Sequence, residues 1–402
     1  MKPLKLCMVT TFYPPFSFGG DGIFVYRLAH ALAEKGHRVD VIHSEDAYRL
    51  QHPGDPEQEF AEHPAVTRLP LRSRWPRVST LTAQQLGSPS AYRRRLRTLL
   101  NDTDYDVIHY HNISLMGGPG VLGLGRALKL YTPHEYWLIC PTHVLFKFNR
   151  EACSRRECLR CTLHARRPPQ LWRYGRRVNE YTRHVDRFLM LSRFALDRHR
   201  ADGIDASMTV LPSFVPTPSV TTDGEPVSKR PFFLCVGRLE KLKGVQDMIK
   251  LFRDYRDADL LIIGDGGYRT TLQQLAGGLD HVRFLGSLHP TELGAYYRQA
   301  VAVLVPSLCY EVFPLIPTEA LAHGTPVVAR RIGALTEIVE ESGGGFTFES
   351  LDDCLQAMRR LQNDDALRRE LGDRGRLTAQ EKWTSDAHLT RYLEIIEELK
   401  PA

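Results

Sequence analysis

The sequence lacks any long uninterrupted hydrophobic run, and this absence excludes a protein built from membrane-spanning helices. No stretch approaches the roughly 18 apolar residues needed to span a bilayer. The apolar segment at residues 6–9 is short and is soon followed by Pro14 and Pro15, which is not the pattern of a secretory signal peptide. We therefore expect a cytoplasmic protein.

A strong excess of one charge is also missing. The chain has 53 Lys and Arg against 47 Asp and Glu, a formal net charge of +6, which favours anionic partners only weakly. The basic residues are uneven, however. Residues 147–187 hold 12 Lys or Arg against 4 Asp or Glu, and Arg93, Arg94, Arg95 and Arg97 form a second cluster. Each cluster is either a solvated surface or a docking surface for an anionic partner or for membrane headgroups at the inner face of the membrane.

The length of 402 residues, with 43% hydrophobic and 25% charged residues, predicts two to three ordinary globular domains. Over residues 1–212, short apolar runs alternate with helical patterns, beginning with a strand at 4–10, a helix at 23–35 ended by Gly36, and a strand at 39–42. This alternation predicts a mostly parallel sheet with crossover helices. A segment rich in Pro, Ser and Thr at residues 213–230 predicts a linker.

A second series of strands and helices follows over residues 231–384. Strands are predicted at 232–236, 259–264, 282–286, 300–306 and 325–329. Two doubly wound α/β halves of this size form a cleft between them, and the ligands of such sheets bind at the carboxyl ends of the strands. The last helix, within residues 385–402, has no strand after it, so we expect it to pack back on the first domain.

Two carboxylates flank a predicted helix start in the segment YEVFPLIPTEALAHGTPVV, residues 310–328. Glu311 follows a buried strand, and Glu319 lies in a helix expected to begin near Leu315. The N–H groups and dipole of a helix N-terminus can hold phosphate, and Pro314 suits the first turn, where no N–H is needed. Glu311 can accept hydrogen bonds from sugar hydroxyls, and Glu319 from ribose hydroxyls. Alternatively, one Glu caps the helix and the other lies on its exposed face.

Two cations follow the first strand of the second half, in VGRLEKLKGV at residues 236–245. Arg238 and Lys243 lie just before a predicted helix, where a diphosphate would bind. Gly237 and Gly244 permit close approach of the backbone. The alternative is a pair of surface cations without a ligand.

Together these segments resemble the family 4 retaining glycosyltransferases, which have the GT-B architecture of two Rossmann-like domains facing across a cleft. The resemblance covers nearly the whole chain and rests on six motifs in the order that the family shows. They are FYPPFSFGG, DVIHYHN, VGRLEKLKG, IIGDGG, FLGSL and the segment from Glu311 to Glu319.

The resemblance implies roles for individual residues. Arg238 and Lys243 would clamp the donor diphosphate, while Glu311 would contact the transferred sugar and Glu319 the ribose. His134 in PHEYW would lie near the transferred sugar and the acceptor. Further donor contacts are implied for Gly19 and Gly20 at the phosphates, Gly264 and Leu285 near the base, and the backbone of Phe313, Leu315 and Ile316. The sequence departs from the family pattern at Pro314, where Gly is frequent, and at Glu135, where Asp is frequent.

The implied reaction moves a hexose from a UDP- or GDP-linked donor to a hydroxyl of a glycan, a glycolipid or a small molecule, with retention of configuration. The departing phosphate oxygen would accept the proton of the acceptor, and no catalytic metal is required. The protein would stabilise the departing diphosphate electrostatically. A covalent double displacement needs a carboxylate on the opposite face of the sugar, and no motif supplies one.

Four of the eight cysteines are clustered in a basic insert at about residues 140–177. Cys140, Cys153, Cys158 and Cys161 have the spacing C-x12-C-x4-C-x2-C, which fits a tetrahedral structural zinc site. Unligated thiols are the main alternative. Disulfides are disfavoured in a cytoplasmic protein, and an iron–sulfur cluster is a further option.

Two other functions compete with sugar transfer. One is a different GT-B enzyme, such as a nucleotide-sugar epimerase or a phosphorylase, although such phosphorylases usually have longer chains and a pyridoxal lysine. The other is a nucleic-acid-binding protein that uses the cysteine cluster and the arginine-rich stretch. The second would leave both Rossmann-like halves unexplained, so we expect no nucleic-acid partner.

Overall fold

The computed structural model describes residues 2–52, 54–56, 59–89, 91–173, 177–218 and 225–400. Part of the predicted linker, residues 219–224, and part of the cysteine-rich insert, residues 174–176, lie outside them. The strands are β1 Lys5–Val9, β2 Arg38–Ser44, β3 Val66–Leu71, β4 Val107–Tyr110, β5 Leu128–Tyr131, β6 Phe146–Lys147, β7 Glu151–Ala152, β8 Arg187–Met190, β9 Met208–Val210, β10 Phe232–Val236, β11 Asp259–Ile263, β12 Val282–Gly286, β13 Ala302–Val305, β14 Val327–Arg330 and β15 Gly345–Phe348.

The helices are α1 Gly20–Glu34, α2 Glu45–Gln51, α3 Pro76–Leu86, α4 Arg93–Asn101, α5 Cys158–His164, α6 Arg177–Thr182, α7 Arg193–Ala201, α8 Val245–Leu251, α9 Arg269–Leu275, α10 Pro290–Gln299, α11 Leu315–Ala322, α12 Gly333–Ser342, α13 Leu351–Asn363, α14 Asp365–Lys382 and α15 Ser385–Leu399. Within the described ranges, no helix is long and apolar enough to cross a membrane.

The chain divides into two compact units. The first comprises Met1–Val144, Glu157–Ser213 and His388–Ala402, and the second comprises Leu145–Arg156 and Phe214–Ala387. Most of α15 therefore belongs to the first unit, while the central part of the cysteine-rich insert belongs to the second.

Each unit contains one parallel sheet in the Rossmann order. The first sheet runs β3-β2-β1-β4-β5-β8-β9, and the second runs β12-β11-β10-β13-β14-β15. Every neighbouring pair with a defined register in the two sheets is parallel. The chain winds outward from β10 in one direction and then returns to β13 on its other side, so the β10/β13 boundary is the topological switch point. The predicted α/β fold with two Rossmann-like halves is confirmed.

The second sheet is apolar on both faces because helices cover both. All five residues of β11 are buried. Leu260 and Ile262 belong to one hydrophobic cluster, while Leu261 and Ile263 belong to another. Side chains alternate between the faces of a strand, so a continuous run of Leu and Ile is what a doubly covered parallel strand requires.

Helix α1 begins earlier than the hydrophobic pattern predicts. It starts at Gly20 rather than residue 23, with Gly19 at the N-cap and Asp21 in the first turn. The periodic apolar residues start only at Ile23, but the glycine pair and an acidic side chain extend the helix towards its N-terminus, where negative charge is favourable. Gly36 lies just beyond the C-cap and has a φ of +88°, as the sequence predicts.

Candidate active site

The carboxyl ends of β10 and β13 carry the central groups of the candidate site. The two strands are neighbours in the second sheet. Lys243 lies in a 3-10 turn, Lys241–Lys243, in the loop after β10, and Glu311 lies in the loop after β13. The backbone N–H of Leu308 donates to the carbonyl of Leu242 at 2.8 Å, which ties the two loops together. The switch point of the sheet thus places both side chains where α/β folds bind ligands.

Lys243 and Glu311 form an ion pair. Lys243 Nζ lies 3.0 Å from Glu311 Oε1, and their side chains are only 26% and 18% exposed. Ser307 Oγ donates a hydrogen bond of 2.6 Å to the same Oε1. Burial alone favours the neutral form of Glu311, but Lys243, Ser307 and Arg238 outweigh it and lower the pKa of that carboxyl. Burial likewise opposes the charge on Lys243, yet the proximity of Glu311 raises the pKa of the ammonium. Both groups are charged at neutral pH.

Arg238 supplies a second cation to the same place. Its side chain is 70% exposed, and its Nη1 lies 3.0 Å from Glu240 Oε1. It also interacts electrostatically with both Lys243 and Glu311. The structure therefore brings together three of the predicted site residues, one of which extends into solvent where an anion can reach it.

Close backbone packing leaves no room for a side chain at Gly264, on the same edge of the sheet. Gly264, directly after β11, has a φ of +132°, and a Cβ added there would lie 2.0 Å from the carbonyl oxygen of Gly237. The N–H of Gly264 donates to the carbonyl of Gly286 at 2.7 Å. Leu285, the other residue predicted to lie near the base, is partly buried on β12 and packs on the hydrophobic cluster beside α11. Gly264 thus lies where three strand ends meet.

The N-terminus of α11 follows Glu311 by a few residues. Pro314 occupies the N-cap, with φ −75° and ψ 117°, rather than the first turn that the sequence predicts. This shift by one position has little effect on the helix, because the ring of proline suits either position. The N–H of an N-cap residue also makes no intrahelical hydrogen bond, so none is lost. The side chains of Phe313, Leu315 and Ile316 pack on the core cluster, which fixes the loop. The first N–H groups of α11 have no intrahelical acceptor.

Glu319 lies further along α11 and has its own support. Tyr297 OH donates to Glu319 Oε2 at 3.1 Å, and the Tyr297 ring stacks on His323 with centroids 5.4 Å apart. Burial, followed by the adjacent carboxylate, raises the pKa of Tyr297 well above its usual range, so its hydroxyl remains a donor. This contact orients the carboxylate that the sequence assigns to a ribose.

In the first unit, His134 belongs to a stack of buried histidines. His111 Nδ1 lies 3.0 Å from His134 Nε2, and the His109 and His111 rings are 3.9 Å apart. His388 on α15 packs edge-on against Phe24, which also contacts His134. Burial, and then the nearby His388, lowers the pKa of His134 to about 3. His134 is therefore neutral near pH 7.

The surroundings of His111 predict the tautomers of the pair. Among the described residues, the buried Nε2 of His111 has no hydrogen-bond partner. A buried N–H without an acceptor is rarer than a buried acceptor without a donor. We therefore expect the proton of His111 on Nδ1, from which it is donated to His134 Nε2, and the proton of His134 on its Nδ1.

The predicted glycines of the first loop lie at the start of α1. Gly19 is the N-cap with a φ of +140°, and Gly20 is the first helical residue. Asp21 follows, and Asn112 Nδ2 donates to its Oδ2 at 3.0 Å. Burial raises the pKa of Asp21. Glu135, the residue at which Asp is frequent in the family, lies with its Oε1 2.9 Å from His143 Nδ1. The sequence does not predict this contact.

The four clustered cysteines are divided between the two units, with Cys140, Cys158 and Cys161 in the first and Cys153 in the second. Cys140 and Cys161 are buried, while Cys153 and Cys158 are partly buried. Over the described part of the chain, no group of three or more His, Cys, Asp or Glu is placed to hold a metal ion. Zinc binding stays a prediction for metal analysis to test.

Several supporting residues escape sequence reasoning. Ser307, Tyr297 and His111 each contact a predicted site residue, and Asp21, which accepts from Asn112, directly follows the predicted Gly20. His111 lies within the DVIHYHN motif, and Asp21 follows the GG of FYPPFSFGG. The position of these two residues in or beside a motif could therefore have identified them as candidates. Ser307 and Tyr297 lie outside the motifs and are identified only by the fold.

Comparisons with known proteins match both units. Residues 18–218 match the model of Glycosyltransferase Family 4, half of the chain, and residues 222–378 match Glycosyl transferases group 1. The chain belongs to glycosyltransferase family 4. It is 28% identical to glycogen synthase from Mycobacterium tuberculosis over 96% of this chain and 93% of that protein. It is 32% identical to the sulfoquinovosyl transferase SQD2 of Arabidopsis thaliana, but the match covers only 39% of this chain and 31% of that protein.

Solved structures agree on the fold. Sucrose-phosphate synthase from Thermosynechococcus elongatus superimposes with a TM-score of 0.74 at 19% identity, covering 98% of this chain and 99% of that one. The Anabaena protein Alr3699/HepE, solved in complex with UDP, gives a TM-score of 0.67 at 16% identity, covering 98% of this chain and 100% of that one. The family 4 protein is a glycosyltransferase with the GT-B fold.

Proposed function

We propose that this glycosyltransferase moves a hexose from a UDP- or GDP-linked donor to a hydroxyl of a glycan, glycolipid or small-molecule acceptor, with retention of configuration. The observation that carries the proposal is the Lys243–Glu311 ion pair at the switch point of the second sheet, with Arg238 beside it. Two cations and one oriented carboxylate suit a ligand that joins a diphosphate to a polyhydroxylated ring. We place the reaction in the cytoplasm, where nucleotide sugars are made.

Lys243, Arg238 and the N-terminus of α11 would bind the diphosphate and stabilise the negative charge that grows on it as the glycosidic bond breaks. Glu311, held by Lys243 and Ser307, would accept hydrogen bonds from hydroxyls of the transferred sugar. Glu319, oriented by Tyr297, would accept from the ribose. Gly264 and Leu285 would approach the base.

The transfer would break one bond at the anomeric carbon and form another. The bond between the anomeric carbon and the donor phosphate oxygen breaks, and a bond from the anomeric carbon to the acceptor oxygen forms on the same face. The acceptor hydroxyl proton passes to the departing phosphate oxygen. Neutral His134 and the Gly19–Gly20 turn of the first unit would contact the sugar and the phosphates, and no carboxylate attacks the ring.

A screen of donor hydrolysis without acceptor, across UDP-, GDP- and ADP-sugars, tests this proposal. We expect hydrolysis of one UDP- or GDP-hexose, with the released sugar retaining the anomeric configuration of the donor in an NMR time course. Release of an epimerised sugar would instead identify a nucleotide-sugar epimerase. Failure to hydrolyse or bind any of these donors would contradict the proposal.

A further inference from the structure

Helix α3 of the first unit presents a row of large apolar side chains to solvent. Trp75, its N-cap residue, is 67% exposed, and Val78, Leu81 and Leu86 within the helix are each more than half exposed. We call these four residues the α3 patch. Nine large hydrophobic side chains are exposed among the described residues, so almost half of them lie on this one element. Single exposed apolar residues are ordinary, but a contiguous group indicates an interaction surface.

Helical spacing puts three of the four patch residues on one side of α3. Trp75, Val78 and Leu81 follow each other at intervals of three residues, which makes them neighbours on a helix surface. The residues of α3 that are buried, Ser79 and Ala83, face the first unit instead. The exposed row is therefore not part of the packing of α3 on its own unit.

A neighbouring turn extends the apolar surface. Trp172 Nε1 donates to the carbonyl of Gln84 on α3 at 2.9 Å, which anchors the 3-10 turn Leu171–Arg173 against the helix. Trp172 is buried by this contact, while the adjacent Leu171 is 70% exposed. Leu171 thus adds a fifth apolar side chain beside the α3 patch.

The chain segment that carries the patch is basic and contains no acidic residue. Residues 63–101 contain eight arginines and no Asp or Glu. Arg74 and Arg77 flank Trp75 and are exposed, and the Arg74 guanidinium lies 6.0 Å from the centre of the Trp75 ring. Arg72 is held by Glu45 through two hydrogen bonds of 2.7 and 2.9 Å. The four arginines of α4 are also exposed.

We propose that the α3 patch docks on an anionic lipid bilayer. An interfacial helix with Trp and aliphatic residues on one side and arginines around it inserts its apolar side chains at the headgroup boundary. Tryptophan favours that boundary, and each arginine near an anionic surface adds attraction. A soluble polyanion would use the arginines but would leave the five apolar side chains in water. The inference is independent of the sugar-transfer proposal, since it uses none of the site residues.

Vesicle sedimentation with the full chain tests the proposal. We expect binding to vesicles of phosphatidylcholine mixed with phosphatidylglycerol and much weaker binding to phosphatidylcholine alone. Arg74→Gln with Arg77→Gln should weaken binding by roughly 25-fold, since each arginine corresponds to about a fivefold change. Val78→Gln with Leu81→Gln should weaken it by about tenfold or more. Trp75 fluorescence alone is ambiguous because the chain has other tryptophans, so sedimentation is the readout.

Matched controls lie on α14 in the second unit. Leu377 is exposed like Leu81, and Arg369 is exposed like Arg77, so Leu377→Gln and Arg369→Gln should bind vesicles as the wild type does. All variants should hydrolyse donor in vesicle-free solution at the wild-type rate, which separates this test from the sugar-transfer proposal.

Three outcomes would overturn the membrane proposal. One is equal binding to neutral and anionic vesicles, and another is unchanged binding by the Val78/Leu81 variant. The third is a wild-type dimer in analytical ultracentrifugation that the patch variants dissociate, because a second copy would then cover this face.

Discussion

Lys243 and Glu311 are 68 residues apart in the chain, yet Lys243 Nζ lies 3.0 Å from Glu311 Oε1. The parallel pairing of β10 with β13 accounts for this, because the loops after neighbouring parallel strands leave the same edge of the sheet. The pair is partly shielded from water, so its attraction is stronger than that of an exposed pair. Each side chain therefore holds the other in position for a ligand.

Removing either partner should abolish most of the activity. Lys243→Ala should lower kcat/KM by roughly 10² to 10³, as expected when a preorganised electrostatic contact to the departing group is lost. Glu311→Gln keeps a group that can accept from Ser307 but removes the charge, and it should also lower kcat/KM strongly. Circular dichroism should show an intact fold in both. Wild-type turnover by Lys243→Ala would refute the diphosphate assignment.

The pH profile should show no ionisation of this pair near neutrality. The pKa of Glu311 lies below its usual 4.5, and the pKa of Lys243 lies above its usual 10.5. Both charges are thus present from about pH 5 to about pH 10. We therefore expect that neither Lys243 nor Glu311 adds a titration step to the profile of log kcat/KM over that range. If the profile showed an apparent pKa of about 6 to 8 that disappears in Glu311→Gln, the assignment of both groups as charged at neutral pH would be contradicted.

The buried histidines should make the protein sensitive to acid. Burial lowers the pKa of His388 to about 4 and that of His134 to about 3, below the ordinary value near 6.5. Between the folded pKa and the ordinary value near 6.5, the unfolded chain therefore binds more protons than the folded one. The contribution of these histidines to stability is complete above about pH 6.5 and is lost as the pH drops towards 4. Each unit by which burial lowers a histidine pKa corresponds to about 1.4 kcal/mol of this loss.

His388→Asn isolates one member of the stack. The variant keeps an N–H for the carbonyl of Pro212, which accepts from His388 Nδ1 at 2.7 Å. Its unfolding free energy should depend less on pH between about 7 and 5 than that of the wild type, as measured by urea denaturation. The exposed His52→Asn serves as the control and should keep the wild-type dependence. An unchanged slope in His388→Asn would show that this histidine is charged in the folded state.

Gly264→Ala should damage both stability and donor binding. A Cβ at this position would lie 2.0 Å from a backbone oxygen, and the φ of +132° is unfavourable for alanine. We expect a loss of about 2 kcal/mol or more in unfolding free energy and weaker binding of nucleotide. Gly267→Ala is the matched control in the same turn, since a Cβ there meets nothing within 4 Å. Similar melting temperatures for the two variants would refute this packing argument.

Zinc in the cysteine cluster is a separate prediction. Metal analysis of protein purified without an affinity tag should give about one zinc per chain, and Cys158→Ser with Cys161→Ser should remove it. The matched substitution of the buried Cys354, which packs near Met248, should leave the metal content unchanged. Protein without zinc or iron would show that the four thiols are unligated.

The sequence predicts the sheets well because their strands are covered on both faces. Runs such as FFLCV and DLLII have few alternatives once Gly, Pro and helical segments punctuate them, and β10 and β11 lie where those runs predict. The start of α1 is less well predicted, because Gly20 and Asp21 extend the helix without adding to its apolar pattern.

The candidate site is only partly readable from the sequence. Residue type and motif order single out Arg238, Lys243 and Glu311, but the hydrogen bond from Ser307 depends on how the loop after β13 turns. Tyr297 reaches Glu319 from α10, 22 residues earlier, and only the three-dimensional packing of α10 beside α11 reveals it. The pairing of His111 with His134 likewise needs the parallel register of β4 and β5.

The most direct test of the proposed diphosphate site is a comparison of the affinities for a nucleoside diphosphate and for the corresponding monophosphate. Isothermal titration with UDP, GDP, UMP and GMP should show that one diphosphate binds the wild type well above its monophosphate. Arg238→Gln with Lys243→Gln should lose that difference while monophosphate binding changes little, and Arg369→Gln should bind as the wild type does. Equal diphosphate affinity in the wild type and the Arg238/Lys243 variant would contradict the account.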